Sequence, residues 1–320
     1  MKNKPLISVV VPAYNEQEVL AAFHDRLATA LEGLLYEFEI VYINDGSLDD
    51  TLAILNDLYA RDERVAVVDL SRNFGKEIAL SAGLHKAQGD AVVVIDADLQ
   101  DPPEVIPQLV AEWENGYDVV YARRTQRKGE TWFKKASAAG FYRIIQRLSK
   151  VRIPEDTGDF RLLSRRAVDA LNTLSEQHRF MKGLFAWIGY KQKAVYYDRD
   201  PRFAGTTKWN YWKLWNFAID GITSFTTAPL KLATYIGFMT ALIAFVYGSY
   251  MLIRTLIFGN PVPGYPSLIV IILFLGGVQL MAIGIVGEYV GRIFTESKRR
   301  PLYFLNDYKP RRADDADASA

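Results

Sequence analysis

The segment Ile95-Asp96-Ala97-Asp98-Leu99-Gln100-Asp101-Pro102 follows the apolar run Ala91-Val92-Val93-Val94 and sets two carboxylates one residue apart at the end of a predicted strand. Oxygen donors in that density suit a hard divalent cation, Mg²⁺ or Mn²⁺. A diphosphate next to a carboxylate is tolerable only with such a cation between them. Alternate residues of an extended chain point to one side, so Asp96 and Asp98 would share a face and Gln100 would add a third oxygen there. Asp-x-Asp alone also occurs as a solvated loop or a helix cap. What favours the cation and diphosphate reading is its place at the exit of a very apolar strand, where open α/β sheets bind ligands.

Carboxylates so placed need a sheet to hold them. Strands are predicted over residues 6–11, 39–43, 65–70, 91–95 and 118–121, alternating with helices over 16–34, 49–61, 76–87 and 103–115. Such alternation predicts an α/β domain with a mainly parallel sheet flanked by helices. No G-x-G-x-x-G follows the first strand, which counts against NAD or FAD, and no G-x-x-x-x-G-K-[ST] occurs, which excludes a P-loop ATPase.

The 320 residues are enough for about two domains, and half of them are hydrophobic. A net charge of +1 gives no footing for a nucleic-acid binder. The absence of cysteine excludes disulfides, zinc-thiolate sites and thiol catalysis. His24, His85 and His178 are scattered without ligand spacing, so neither a histidine metal site nor a Ser-His triad is expected.

The average composition hides a sharp division. Residues 1–205 mix charge and apolar side chains like a soluble domain, whereas 232–257 and 267–290 are nearly charge-free and longer than the ~20 residues that cross a bilayer as helix. The turn-rich stretch from Phe258 to Pro266 makes 232–290 a helical hairpin. Lys208, Lys213 and Lys231 precede it and Arg292, Lys298, Arg299 and Arg300 follow it, while the connecting loop has no charge. The positive-inside rule then puts both termini in the cytoplasm. No signal peptide is expected, since Met1 to Pro5 leads directly into a strand. Arg254 would snorkel, and Glu288 would pair with Arg292 one turn on. Gly287 and Gly291 form a small-xxx-small pair that suits close packing and a homo-oligomer. Residues 206–231, dense in aromatics from Trp209 to Phe225, read as helices lying at headgroup level or as an aromatic core helix. Residues 291–320 read as a tail, basic and then acidic.

Three motifs then appear in order at three strand ends: Val9-Val10-Val11-Pro12-Ala13-Tyr14-Asn15-Glu16, Ile43-Asn44-Asp45-Gly46-Ser47 with Asp49, and Asp96-Ala97-Asp98. Together they resemble the inverting family 2 glycosyltransferases of GT-A fold. Arg72-Asn73-Phe74-Gly75-Lys76-Glu77, Gly158-Asp159-Phe160-Arg161-Leu162 and the two apolar spans narrow the resemblance to polyprenyl-phosphate glycosyltransferases. Among these the chain is most similar to bactoprenol glucosyltransferases of O-antigen modification, relatives of dolichyl-phosphate mannose synthase.

The resemblance implies transfer of a sugar from a UDP-sugar to undecaprenyl phosphate at a bacterial inner membrane, with Mg²⁺ or Mn²⁺ as cofactor and membrane lipid as surroundings. Glucose is the implied sugar; galactose, GlcNAc or an aminoarabinose derivative would use the same uridine site. Pro12, Tyr14 and Glu16 match the nucleotide-binding turn, Asp45 the uracil acceptor, and Asp96, Asp98 and Gln100 the cation and donor-phosphate site. Asp45-Gly46-Ser47 reads equally as a turn with a helix cap. Lys76 would reach the diphosphate from a loop, or simply be solvated. Asp159 matches the carboxylate cited as base, here left open between base and positioning residue. The acceptor phosphate calls for cations, and Arg123, Lys134, Lys135, Arg202 and Lys208 are the expected group, while Arg123 and Ser137 match acceptor-phosphate positions in the mannose synthase relatives; attraction to anionic lipid explains the lysines as well. A processive polysaccharide synthase would share the acidic motifs but needs more spans and a Gln-x-x-Arg-Trp motif.

Overall fold

A computed structural model describes residues 4–125, 157–200, 228–259 and 264–312. It divides into two compact units, one holding the chain up to Ala218 together with Pro301–Ala320, the other Ile219–Arg300.

The first unit is an eight-stranded mixed sheet. In chain order it comprises β1 (Leu6–Ala13), α1 (Leu20–Leu31), β2 (Glu37–Asn44), α2 (Thr51–Arg61), β3 (Val65–Leu70), α3 (Lys76–Lys86), β4 (Ala91–Val94), a 3₁₀ turn (Pro103–Val105), α4 (Ile106–Glu114) and β5 (Val119–Arg124). Then follow β6 (Thr157–Ser164), α5 (Arg165–Asn172), α6 (Met181–Trp187) and β7 (Gln192–Tyr197), and finally, beyond the second unit, β8 (Leu305–Lys309). The strand order is β7-β5-β6-β4-β1-β2-β3-β8. β4, β1, β2 and β3 run parallel, as the alternation predicts; β6 is antiparallel to both β4 and β5, and β8 to β3.

The near-continuous apolar runs of β1 and β4 follow from their burial on both faces. Ile7, Val9 and Val11 join Leu20, Phe23 and Leu27 of α1 in one core, while Val10 points to the other face beneath α3. There α3 lies so close that a Cβ on Gly83 would stand 2.4 Å from Val10 Cγ1 and 2.6 Å from Ile43 Cδ1, so any larger residue would have to displace those side chains. β8 lies within 291–320, read from the sequence as a tail. Its residues Asn306 and Lys309 bond Asp69 and Asn56, and Tyr303 just ahead of it bonds His85, at 2.7, 2.6 and 3.1 Å.

The second unit contains α7 (Ala228–Phe258) and α8 (Tyr265–Ser297), packed on one another. Leu230–Phe258 and Val270–Ser297 are 29 and 28 residues long, apolar and unburied, so both are long and apolar enough to cross a membrane. Both helices run past the bounds read from hydropathy, to Ala228–Phe258 and Tyr265–Ser297. Glu288 does pair with Arg292, at 2.9 Å. The aromatic segment 209–225 and the acidic end 314–320 lie outside the described residues.

Candidate active site

Because β1, β2, β3 and β4 are parallel, their carboxyl ends reach one edge of the sheet. β6 runs the other way with Arg161 opposite Val94, so its amino end brings Gly158 and Asp159 to that same edge. Asp96 and Asp159, far apart in sequence, are thereby joined by one cation: the Lys76 ammonium, at the first position of α3 rather than in a loop, lies 2.7 Å from Asp96 and 2.6 Å from Asp159.

The electrostatics of this trio follow from crowding charge into poorly hydrated space. Desolvation pushes the Asp159 carboxyl up, yet Lys76, then Lys182 and Arg161, outweigh it and hold the group well below the usual carboxylate range. Lys76 is drawn well above its ordinary value, desolvation being overcome by Asp159 and Asp96. Asp96 is raised, by desolvation first and, among the neighbouring acids, by Asp159 and Asp101, with Lys76 opposing. Glu77, next along α3, is pushed up to about 7 by burial and by the charge of Asp159. The site thus keeps Asp159 ionised and stores a proton more readily on its neighbours.

The expectation that Asp96, Asp98 and Gln100 share a face fails, because β4 ends at Val94 and the chain turns at once. Leu99 takes φ 58°, and Asp98 Oδ1 folds back to accept the Gln100 N–H at 3.1 Å. Gln100 is 7% exposed, and its Oε1 is buried without a hydrogen-bond partner. Among the described residues no three acidic or imidazole side chains gather into a complete cation cage. The donor set still fits a divalent ion of Mg²⁺ type, which is held by one or two carboxylates and completed by substrate phosphates. Asp98 and the orphaned Gln100 oxygen are oxygen donors within this turn, and Asp96 precedes them in the same loop.

At the first two strand ends, Pro12 pairs with Ile43 and Ala13 with Asn44, so the turns carrying Tyr14 and Glu16 and carrying Asp45 emerge side by side. They are laced together: Asn15 N–H donates to Ser47 Oγ at 3.1 Å, Leu48 N–H to Asn15 Oδ1 at 2.8 Å, and Glu16 N–H to Thr51 Oγ1 at 2.9 Å. Asp45 is 3% exposed and accepts the N–H groups of Phe74 and Gly75 at 2.7 and 3.0 Å. It therefore anchors the loop that leads to Lys76. A carboxylate has about four lone-pair directions, so these two bonds do not exhaust its accepting capacity. Gly46, at φ +63°, is packed against the same loop: its Cβ would fall 2.4 Å from backbone atoms of Arg72 and Asn73.

Of the expected acceptor-binding group, Lys134, Lys135, Ser137, Arg202 and Lys208 lie outside the described residues. Arg123 is half-buried in β5 with its guanidinium 5.8 Å from the centre of the Tyr196 ring. Its neighbour Arg124 instead reaches toward the acidic cluster: a Cβ at Gly158 would lie 3.4 Å from Arg124 Nη2 and 3.6 Å from Asp101 Oδ2. Asp101 accepts a hydrogen bond from the Tyr197 hydroxyl and lies 3.9 Å from Arg199. Asp101, Arg124, Glu77, Arg161 and Lys182 were not assigned from sequence. Asp101 and Arg161 sit inside strings that were singled out; Lys182, in Phe180-Met181-Lys182-Gly183, carries no local signal.

Comparison with known proteins is decisive at this point. Residues 8–171 match glycosyl transferase family 2, and residues 228–293 match the GtrB C-terminal hairpin. The chain is a family 2 glycosyltransferase. This glycosyltransferase is 54% identical over 301 residues to an uncharacterized glycosyltransferase of Synechocystis sp., covering 94% of this chain and 95% of that one. It is 51% identical over 303 residues to the bactoprenol glucosyl transferase of Shigella phage SfV, covering 95% and 99%. Among solved structures, mannosyl-3-phosphoglycerate synthase from Rubrobacter xylanophilus is similar at 16% identity and a TM-score of 0.47, over 68% of this chain and 72% of that one. The α/β sheet of this glycosyltransferase, with its acidic strand ends, is of GT-A type.

Proposed function

We propose that this glycosyltransferase moves glucose from UDP-glucose to undecaprenyl phosphate, with the soluble unit and both termini on the cytoplasmic side of a bacterial inner membrane. The observation that carries the reading is the near-complete, roughly half-identical match to bactoprenol glucosyl transferases, in a chain that also presents the Lys76, Asp96 and Asp159 cluster. The positive residues flanking the hairpin support the orientation.

The phosphate oxygen of the acceptor attacks the anomeric carbon, the bond to UDP breaks, and the configuration inverts. A phosphate nucleophile is already anionic, so the main work is to hold two anions side by side and stabilise the leaving group. Asp98 and Gln100, with Asp96 adjacent, would hold a divalent cation, which when bound would supply charge neutralisation at the departing diphosphate. Lys76 is on hand to meet the phosphates once the donor competes for it. Asp159, kept ionised, orients the acceptor phosphate or takes its residual proton. The Tyr14 and Asp45 turns hold the uridine.

The test is incubation of the purified full chain with radiolabelled UDP-glucose, undecaprenyl phosphate and Mg²⁺ or Mn²⁺. A glucosylated lipid lost on chelation and in Asp98→Asn is expected. Turnover of another UDP-sugar alone would reject glucose, and no lipid product from any donor would reject the function.

A further inference from the structure

Among the described residues only one oxygen of Asp159 is occupied. Oδ2 pairs with Lys76 at 2.6 Å, whereas Oδ1 is buried with no hydrogen-bond partner, on a side chain only 10% exposed. An unsatisfied buried carboxylate oxygen is costly, so its retention points to a group that occupies it during function.

Lys182 sits on α6, a short helix that two contacts fasten to the elements carrying Lys76 and Asp159. Met181 N–H donates to Glu77 Oε2 at 3.2 Å, and the Phe185 ring packs against the Arg161 guanidinium, 3.8 Å from ring centre to Cζ. Arg161 in turn donates to the carbonyls of Gly158 and Asp159, at 2.8 and 3.2 Å. α6 is therefore fastened both to the first turn of α3 and to the strand end that carries Asp159. Lys182 is half-buried, and its charge acts on both Asp159 and Glu77. Yet among the described residues it comes within 4.0 Å of no carboxylate. An ammonium with no carboxylate in reach and an unpartnered carboxylate oxygen are thus carried on elements fastened to one another.

We propose that Lys182 and Oδ1 of Asp159 form a matched donor and acceptor for the phosphomonoester headgroup of the acceptor lipid, making Lys182 an acceptor-binding residue of the transfer site. The inference rests on the functional reading above. A phosphomonoester, with a second pKa near 6, still exists in part as P–O⁻ and P–OH near neutral pH. Its P–O⁻ accepts from Lys182 and its P–OH donates to Oδ1. The diphosphate of a nucleotide sugar has no such P–OH near neutral pH and would meet Oδ1 with acceptors only. The pair therefore selects the acceptor's headgroup over the donor's.

The experiment titrates geranyl phosphate, a short phosphomonoester, and separately UDP-glucose into the detergent-purified full chain by calorimetry. Wild type, Lys182→Met and Lys182→Arg are compared. Lys182→Met is expected to weaken geranyl phosphate roughly tenfold or more while UDP-glucose stays within about twofold, and Lys182→Arg to restore most of the loss. Turnover should show the same split, with KM for undecaprenyl phosphate rising and KM for UDP-glucose steady. Unchanged geranyl phosphate binding in Lys182→Met, or an equal loss for UDP-glucose, overturns the proposal. A wild type that transfers no sugar refutes the functional reading alone, and the binding titration still decides for or against Lys182.

Discussion

Replacing Lys76 by Met leaves two acidic side chains facing each other with their shared cation gone. Asp159 is 10% exposed and Asp96 27%, but Lys76 itself is 45% exposed, so the pair lies between the buried and surface limits. Breaking a buried ion pair costs about 3–5 kcal/mol and losing a surface pair about 0–1 kcal/mol, which brackets this case near ~2 kcal/mol. For a unit of this size that is a fall in Tm of about 4–8 °C near pH 8. The sign with pH follows from the depressed carboxyl of Asp159. Its contribution in the wild type is complete above the ordinary aspartate pKa of about 3.9 and is lost only as pH falls below that toward the depressed value of Asp159. In Lys76→Met the carboxylates repel, so taking up one proton relieves the strain and the Tm deficit shrinks from pH 8 to pH 5. Adding Asp96→Asn should recover about half of the loss at pH 8. Thermal unfolding of the purified chain at the two pH values measures all of this. Equal deficits at both pH values, or a double variant no better than the single one, would refute the shared-cation account.

Other outcomes follow from neighbouring geometry. Gly46→Ala forces a Cβ into the backbone of Arg72 and Asn73 at a left-handed position, and should cost at least about 2 kcal/mol and weaken UDP binding, read by denaturant midpoint and calorimetry. Glu77 is raised to about 7, so the folded state loses stability as pH climbs from the ordinary glutamate value toward neutrality; Glu77→Gln, which keeps an acceptor for Met181 N–H, should melt higher than wild type at pH 8 and equally at pH 4. Truncation after Arg300 removes β8 and bares the edge of β3, and should lower Tm and promote aggregation, visible by light scattering.

What the sequence reveals and what it hides divide along local and non-local lines. β3 is visible because Val65-Ala66-Val67-Val68-Asp69-Leu70 is an apolar run bounded by charge, and the structure places it over the same residues. Asp96 and Asp159 are visible because each lies in a short string of unusual residues at a strand end. β8 is hidden because Leu305-Asn306-Asp307-Tyr308-Lys309 is short and polar, its strand character coming from a partner some 240 residues earlier. The turn at Leu99 is hidden because nothing in the spacing of Asp96 and Asp98 foretells a left-handed residue between Asp98 and Gln100. Glu77 meets α6 through the Met181 N–H, and no periodicity couples α3 and α6 in the sequence.

β8 has a further consequence for how the molecule is made. Its residues emerge from the ribosome after both long apolar helices, so during synthesis the flank of β3 waits as an open template until the whole hairpin has been made. The last strand then seals the sheet.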